Sequence, residues 1–220
     1  MVRKLAVVLT AAVLAGLAAA QESRTGTEPG QVLPGPFRAY VVTGQPRRPA
    51  PEGVQSEERQ NLGDVGRIGK FSDFVTRYSI DPTVAVFSRE IPTPDQPLAK
   101  LLQALDQAVE RNRAARLHAF GIFLTLKGEY FEDESWAAQV KQIEALAQQL
   151  QFKDVPLGFD KAEGERTRAY GMTPETQVLV LVYVNQTVQA RFAFGPNNPL
   201  DANEIPKIMD AVNKTLAAQK

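Results

Sequence analysis

The sequence predicts an α/β fold, a three-layer α/β/α sandwich around a mixed central β-sheet. Residues 83–87 and 118–124 are continuous apolar runs, which are typical of strands buried on both faces. Each run is followed by apolar residues at helical spacing, in residues 98–109 and 136–150. Because strands that alternate with helices pair in parallel, these four segments predict the centre of the sandwich.

An antiparallel hairpin is predicted after this centre. Residues 178–184 are strongly apolar, and residues 187–194 alternate apolar with polar side chains. Asn185 and Gln186 between them indicate a tight turn. The hairpin adds an antiparallel part to the sheet, which is why the sheet is expected to be mixed.

Two further strands and a closing helix complete the predicted sandwich. Residues 37–42 form the first strand. Residues 155–159 form a short strand at an edge, because Pro156 is poorly tolerated in a central strand. The closing helix is expected to open at Asp201, with Glu204 three residues later as its capping partner.

Residues 1–20 have the pattern of a secretory signal peptide. Arg3 and Lys4 supply the positive start, residues 5–17 supply the apolar centre, and small residues precede the expected cleavage point at Gln21. The apolar centre is shorter than the ~20 residues that a membrane-spanning helix needs. The sequence therefore predicts an exported bacterial protein, periplasmic or extracellular, with no integral membrane segment after cleavage.

The rest of the chain is expected to form one domain with one long loop. Residues 21–36 are rich in Gly, Pro, Thr and Glu and predict a flexible leader. Residues 37–220 predict the folded domain, which is long enough to bury a core. Within it, residues 44–69 predict a loop of a length that is usually functional or mobile.

Composition excludes several classes of function. The 220 residues include no cysteine, which rules out disulfides, thiol nucleophiles and cysteine-ligated metals. The formal net charge of +0 gives no electrostatic case for binding nucleic acid. His118, the only histidine, begins an apolar strand and is expected to be structural. The acidic run near residue 132 is explained by a helix start, so neither a metal site nor a cofactor is predicted.

Several segments carry a family resemblance. They are the strand and helix in residues 83–112, the stretch Tyr170-Gly171-Met172-Thr173-Pro174, the hairpin in residues 178–195 and the run from Phe74 to Arg89. Together they resemble the thioredoxin-like superfamily, within it the peroxiredoxin-like and extracytoplasmic thiol-reductase-like branch, and a group of secreted bacterial thioredoxin-like proteins. The resemblance covers about residues 36–218 and implies the thioredoxin-like α/β/α fold.

The resemblance implies two places for redox cysteines, and this chain has none at either. In the secreted group the C-x-x-C motif would fall on Asp73, Phe74, Val75 and Thr76. In the wider superfamily the thiols follow the first central strand, here in the loop that begins with Ser88, Arg89 and Glu90. Thiol–disulfide exchange needs two sulfur atoms, and a hydroxyl is a weak nucleophile without a positioned base. We therefore expect no redox activity from this chain alone.

The resemblance also gives Pro174 a role. It corresponds to the cis-proline that, in redox members, faces the thiol pair and shapes the substrate groove. We expect a cis bond at Pro174, since X-Pro peptides tolerate the cis form. The loop with Arg89 and Glu90 lies at the carboxyl end of a buried strand, where ligands of open α/β sheets bind. An ordinary surface ion pair explains these two charges equally well.

Three functions are open at this point. The leading hypothesis is a redox-inactive, non-catalytic thioredoxin-like protein that binds a protein or peptide partner in the cell envelope. The alternative is an enzyme with non-thiol chemistry, for which Asp73, Thr76, Arg89 and Glu90 are the residues to suspect. The third is a purely structural envelope protein. Convergence of Asp73 and Arg89 in one pocket would favour the enzyme.

Overall fold

Backbone hydrogen bonds join the strands of the chain into one sheet. The computed structural model describes residues 26–44, 67–128, 130 and 134–219. The strands are β1 (Arg38–Val41), β2 (Phe71–Asp73), β3 (Thr83–Ser88), β4 (His118–Leu126), β5 (Leu157–Lys161), β6 (Val178–Val184) and β7 (Thr187–Phe194). The helices are α1 (Pro97–Arg111), α2 (Glu134–Leu150), α3 (Glu165–Ala169) and α4 (Glu204–Ala217). The predicted signal peptide and most of the predicted long loop lie outside the described residues.

The sheet is mixed, as the sequence predicts. Its seven strands follow the order β2-β1-β5-β4-β3-β6-β7. The central strands β3, β4 and β5 run parallel. The β6–β7 hairpin on one side and the β1–β2 pair on the other are attached by antiparallel pairing. The predicted α/β sandwich with a mixed central sheet is therefore confirmed.

Three helices cover one face of the sheet, which we call the helical face. Val84 and Val86 of β3 are buried on this side. They share one hydrophobic cluster with α1, α2 and α4, represented by Leu105, Ile143 and Val212. The apolar spacing that predicts these helices is also the spacing that places their side chains on the sheet. None of the helices in the described residues has the length and hydrophobicity that a membrane crossing requires.

An extended segment crosses the opposite face, which we call the strap face. Residues 26–37, the N-terminal strap, bring Leu33 (2% exposed) and Phe37 (0% exposed) into a second hydrophobic cluster with Ala85 and Phe87 of β3. A 3-10 turn after β2 and the short α3 with the residues that follow it supply the rest of the cover. In the part of the chain that the structure describes, this face carries no long helix.

The strap lies ahead of the predicted start of the folded domain at residue 37. The sequence predicts a flexible leader up to residue 36, but residues 26–36 pack against the domain. The Leu33 N–H donates to the Gln186 carbonyl at 2.8 Å, and the Val188 N–H donates to the Gln31 carbonyl at 2.9 Å. The segment is ordered because Leu33 supplies a buried apolar anchor and the open edge of β7 supplies backbone partners.

β5 lies inside the sheet, between β1 and β4, which overturns the predicted edge position. The prediction relied on Pro156, but the strand begins one residue later, so the missing proline N–H falls outside it. The Pro156 carbonyl still accepts the Gly121 N–H at 3.0 Å. At Gly158, a Cβ atom would lie 2.5 Å from the Tyr40 carbonyl of β1, so this close strand pairing requires glycine.

The hairpin turn follows the predicted chemistry, whereas the last helix keeps only half of its predicted capping pair, because the Glu204 carboxylate bonds to Lys207. Asn185 and Gln186 adopt φ values of 50° and 57°, as a two-residue turn with two left-handed residues requires. α4 begins at Glu204 rather than at Asp201. Asp201 caps it from outside, since its Oδ1 accepts the N–H groups of Asn203 at 2.7 Å and Glu204 at 3.2 Å.

Candidate functional site

The two predicted redox positions lie at the same edge of the sheet. β2 pairs antiparallel with β1, and β1 pairs antiparallel with β5, so β2 runs in the direction of β3, β4 and β5. Asp73 at the end of β2 and Ser88 at the end of β3 are therefore both at the carboxyl edge of the parallel strands. Ligands of open α/β sheets bind at this edge.

Asp73 caps the turn that follows β2. Its Oδ1 accepts the N–H groups of Phe37 (3.0 Å), Val75 (3.0 Å) and Thr76 (3.3 Å). Its Oδ2 accepts the Thr76 hydroxyl. One carboxylate thus joins the strap at Phe37 to the 3-10 turn Thr76–Tyr78. Three of these four donors are backbone N–H groups, so the Asp73 carboxylate chiefly holds backbone in place.

Phe74 and Val75, the middle positions of the predicted motif, are core residues. They are 1% and 0% exposed. The Phe74 ring lies 5.3 Å from the Phe120 ring of β4. The Tyr183 hydroxyl donates to the Val75 carbonyl at 3.4 Å, and burial raises the pKa of Tyr183 well above its ordinary value. Residues 73–76 therefore contribute a cap and two buried side chains to the strap face.

Ser88 uses its hydroxyl to close a local turn. The side chain is buried, and its Oγ donates to the Glu90 carbonyl at 2.8 Å and accepts the Glu90 N–H at 3.1 Å. This reciprocal bond occupies the hydroxyl donor and one of its lone pairs. Glu90 itself is exposed. Ser88 thus shapes the loop after β3, and Glu90 faces solvent.

Arg89 joins this loop to the two loops on either side of α3. Its side chain is 17% exposed, and its backbone N–H donates to the Gln177 carbonyl at 2.9 Å. The guanidinium donates to the carbonyls of Ala162 (3.2 Å), Met172 (3.2 Å), Thr173 (3.1 and 3.3 Å) and Thr176 (3.1 Å) and to Glu163 Oε1 (2.9 Å). We call this arrangement the guanidinium junction. The ion-pair partner of Arg89 is therefore Glu163, across the junction, and not the adjacent Glu90.

The bond before Pro174 is trans, which corrects the predicted cis-proline. The Thr176 N–H donates to the Thr173 carbonyl at 3.0 Å, so residues 173–176 form a β-turn with Pro174 at its second position. A trans-proline suits that position, whereas a cis-proline belongs at the third position of a different turn type. We call this segment the Pro174 turn. The Thr173 carbonyl that closes the turn also accepts from Arg89, and so does the Thr176 carbonyl at the end of the turn.

The structure brings Arg89 to the Pro174 turn but gives Asp73 a separate set of partners. Asp73 bonds to the strap and to its own turn, whereas Arg89 bonds to the loops around α3. Within the described residues, the hydrogen-bonded partners of Asp73 and those of Arg89 have no residue in common. The two side chains therefore stabilise different parts of this edge.

A buried carboxylate at the end of β5 is absent from the sequence-based candidates. Asp160 is 3% exposed, its Oδ1 accepts the Tyr130 hydroxyl at 2.5 Å, and its Oδ2 lies 3.6 Å from Arg166. The signal in the sequence is an acid placed directly after the apolar residues 155–159. A buried carboxylate needs such partners to offset its desolvation. Asp160 therefore ties β5 to α3, close to the guanidinium junction along the chain.

His118 lies at the other edge of the sheet, where β4 begins. Its Nε2 is 3.3 Å from Asp81 Oδ2, and its ring stacks on Tyr78 with centroids 4.2 Å apart. These contacts match the structural role predicted for this histidine. Across the described residues, no three His, Asp or Glu side chains are grouped so that they could hold a metal ion.

At the level of sequence, no protein-family model and no curated protein matches this chain. Solved structures match its fold. The peroxidoxin BcpB of Mycobacterium tuberculosis has a TM-score of 0.54 and 16% identity, over 88% of this chain and 99% of that chain. A mutant of Xylella fastidiosa PrxQ has a TM-score of 0.53 and 9% identity, over 90% and 100% of the two chains. The reduced 2-Cys peroxiredoxin of Plasmodium vivax has a TM-score of 0.51 and 15% identity, over 84% and 82%.

These structural similarities extend over most of each chain, so the whole fold is shared and not only a part of it. Identities this low carry the fold alone. The chain therefore has the thioredoxin-like fold, and it has this fold without a single cysteine.

Proposed function

We propose that this chain is an exported, redox-inactive thioredoxin-like protein that binds a protein or peptide partner in the cell envelope. The observation that carries the proposal is the guanidinium junction. At the loop where the family resemblance expects thiols, Arg89 instead ties three loops together through backbone carbonyls. This edge is built as a fixed surface and not as a reactive pocket.

The proposed binding surface is made of exposed side chains on these loops. We call it the loop surface, and it consists of Glu90, Thr93, Pro94, Asp95, Glu163, Thr173, Pro174 and Glu175. The backbone beneath it is already held by Arg89 and Ser88. A surface that is ordered before binding loses less conformational entropy when a partner docks, which favours affinity.

The test compares a loop-surface variant with a matched variant elsewhere. Pro174→Ala/Glu175→Ala removes two exposed side chains of the loop surface, and Lys141→Ala/Glu144→Ala removes two exposed side chains of α2. Both variants and the parent protein are immobilised and exposed to a bacterial envelope fraction. We expect the loop variant to retain about tenfold less of the bound partner, as the loss of one or two strong contacts implies. Equal retention by all three proteins would contradict the proposal.

The same proposal states that the chain performs no thiol chemistry. A disulfide oxidoreductase or a cysteine-based peroxidase requires a thiolate, and the sequence has no cysteine. We expect the purified protein to reduce insulin and to consume peroxide at the rate of buffer alone. Activity that co-purifies with the protein and is lost when the protein is denatured by heat would overturn this part.

Export is tested separately. The signal pattern in residues 1–20 predicts cleavage before Gln21. Mass spectrometry of the protein recovered from a bacterial host should find Gln21 at the N-terminus in the envelope or the medium. A version that lacks residues 2–20 should stay in the cytoplasm. Full-length protein with an intact N-terminus in the cytoplasm would show that the export prediction is wrong.

A further inference from the structure

The loops around Arg89 present a set of backbone acceptors to its guanidinium group. The carbonyls of Ala162, Met172, Thr173 and Thr176 belong to neither helix nor strand and converge on one point. The Glu163 carboxylate, 60% exposed, adds a negative charge at the rim. The acceptors thus form a polar site with a net preference for a cation.

The shape of this site matches a guanidinium group. Nε donates to the carbonyls of Thr173 and Thr176. Nη1 donates to the Ala162 carbonyl and to Glu163 Oε1, and Nη2 donates to the carbonyls of Met172 and Thr173. The acceptors are distributed over all three nitrogen atoms of a planar fork that carries five N–H donors. An ammonium group has its donors on one atom and cannot reach acceptors spread in this way. The site therefore distinguishes between two cations of equal charge.

We propose that these loops form a guanidinium-binding site whose resident ligand is Arg89, and that the Pro174 turn keeps its conformation only while the site is filled. Arg89 comes from a third loop, so it enters the site as a ligand would. The 17% exposure of its side chain shows that the site opens to solvent. This inference concerns the chain's own loops and holds whether or not the proposed partner exists.

The test is chemical rescue. Arg89→Ala empties the site, and we expect the Tm to fall by roughly 5–10 °C because several charge-assisted hydrogen bonds are lost. Methylguanidinium at low millimolar concentration should then raise the Tm of the variant by mass action but leave that of the parent protein unchanged. Methylammonium at the same ionic strength is the matched control and should have no effect on either. The same shift with both cations would overturn the proposal.

A local readout connects the site to the turn. The Thr176 N–H, which bonds to the Thr173 carbonyl, reports the Pro174 turn through its hydrogen-exchange rate. We expect this amide to exchange faster in Arg89→Ala and to regain protection with methylguanidinium. Unchanged exchange in the variant would show that the turn does not depend on a filled site.

A refolding measurement and one further variant keep the test decisive. If Arg89→Ala does not fold alone, its refolding yield in methylguanidinium is compared with that in methylammonium, and equal yields contradict the proposal. Adding Glu163→Gln removes the negative rim, so the double variant should need several-fold more methylguanidinium for the same rescue. None of these readouts involves a partner, so a failure here is distinct from a failure of the retention experiment.

Discussion

The helical face and the strap face of the same sheet are stabilised in different ways. On the helical face, α1, α2 and α4 satisfy their own backbone and contribute apolar side chains to one cluster. On the strap face the covering backbone is irregular, and side chains satisfy part of its hydrogen bonds. Asp73 caps a turn, and the Tyr170 hydroxyl donates to the Gly35 carbonyl. Polar side chains should therefore matter throughout the cover of the strap face. On the helical face they matter at a connection, where Asp106 of α1 accepts the N–H groups of Asp154 and Val155, and the cover itself depends on distributed burial.

The largest loss of stability is expected for Phe37→Ala. Phe37 is 0% exposed, and its ring lies 4.9 Å from that of Phe87 and 5.1 Å from that of Tyr170. Its removal leaves a cavity and should lower the free energy of unfolding by about 3–5 kcal/mol, measured by urea denaturation. The matched variant Leu105→Ala on the helical face should cost about 2–5 kcal/mol.

The two variants should differ in where they act. In Phe37→Ala the strap loses its anchor, so the amide of Leu33 should exchange with solvent much faster. In Leu105→Ala the strap is intact, and the Leu33 amide should exchange only through global unfolding. If the two variants have equal stability and the Leu33 amide exchanges at the same rate in both, the two faces do not respond separately to substitution.

The next effect in size is expected for Asp73→Ala. The substitution leaves the N–H groups of Phe37, Val75 and Thr76 without their acceptor and should cost about 2–3 kcal/mol. Asp201→Ala removes the exposed cap of α4 on the helical face and should cost about 1 kcal/mol. Both are measured by urea denaturation at neutral pH. A loss at Asp73 no larger than that at Asp201 would remove the distinction between the faces.

Tyr170→Phe is expected to act more weakly and with a pH signature. Burial, aided by the charge of Asp73, raises the pKa of the Tyr170 hydroxyl above its ordinary value. The folded state therefore holds this proton more tightly than the unfolded state, so its contribution is complete below the unfolded pKa of ~10 and is lost as the pH rises further. At neutral pH the variant should lose about 1 kcal/mol, the value of one hydrogen bond.

Above pH ~10 the parent protein should lose stability with a slope of up to about 1.4 kcal/mol per pH unit for each such tyrosine. Tyr170→Phe removes one of these tyrosines, so the free energy of unfolding of the variant should fall less steeply with pH. Tyr183 accounts for part of the remaining fall. Denaturation curves recorded from neutral to alkaline pH test this expectation. Parallel declines in the two proteins would show that Tyr170 is not a source of the alkaline sensitivity.

The smallest effect is expected on the solvent side of the helical face. Lys214 Nζ lies 2.7 Å from Asp210 Oδ2 on α4, and the two side chains are 77% and 60% exposed. Lys214→Ala should cost only about 0.3–0.5 kcal/mol, because solvent and salt screen such a pair. Thermal unfolding at low and high salt measures it. A loss above about 1 kcal/mol would mean that surface charge contributes more to this face than the comparison allows.

Elements with a strong local pattern were predictable from the sequence. The apolar runs of β3, β4 and β6 and the helical spacing of α1 and α2 fall where the structure has them. β2 was missed because three residues are too short for a period to show. β5 was identified but placed at an edge, since Pro156 carries no information about which strands lie on either side.

The contacts of the candidate site residues were not predictable from the sequence. Sequence reasoning singled out residues 73–76, the loop at Ser88 and Pro174, and the structure places each in a loop or turn at or near the carboxyl edge. It could not foresee that Asp73 binds the N–H of a residue 36 positions away, or that Arg89 binds a carbonyl 84 positions away. Both partners lie in irregular backbone, which has no sequence period to report its location.

From the sequence alone follow the order of the elements, their amphipathic faces and the exclusion of thiol chemistry, because periodicity and composition are properties of the chain itself. The central place of β5, the packing of the strap, the trans-proline and the guanidinium junction at Arg89 follow from the folded molecule. A buried polar group bonds to whichever backbone the packing brings within about 3 Å, and that proximity is a property of the whole fold.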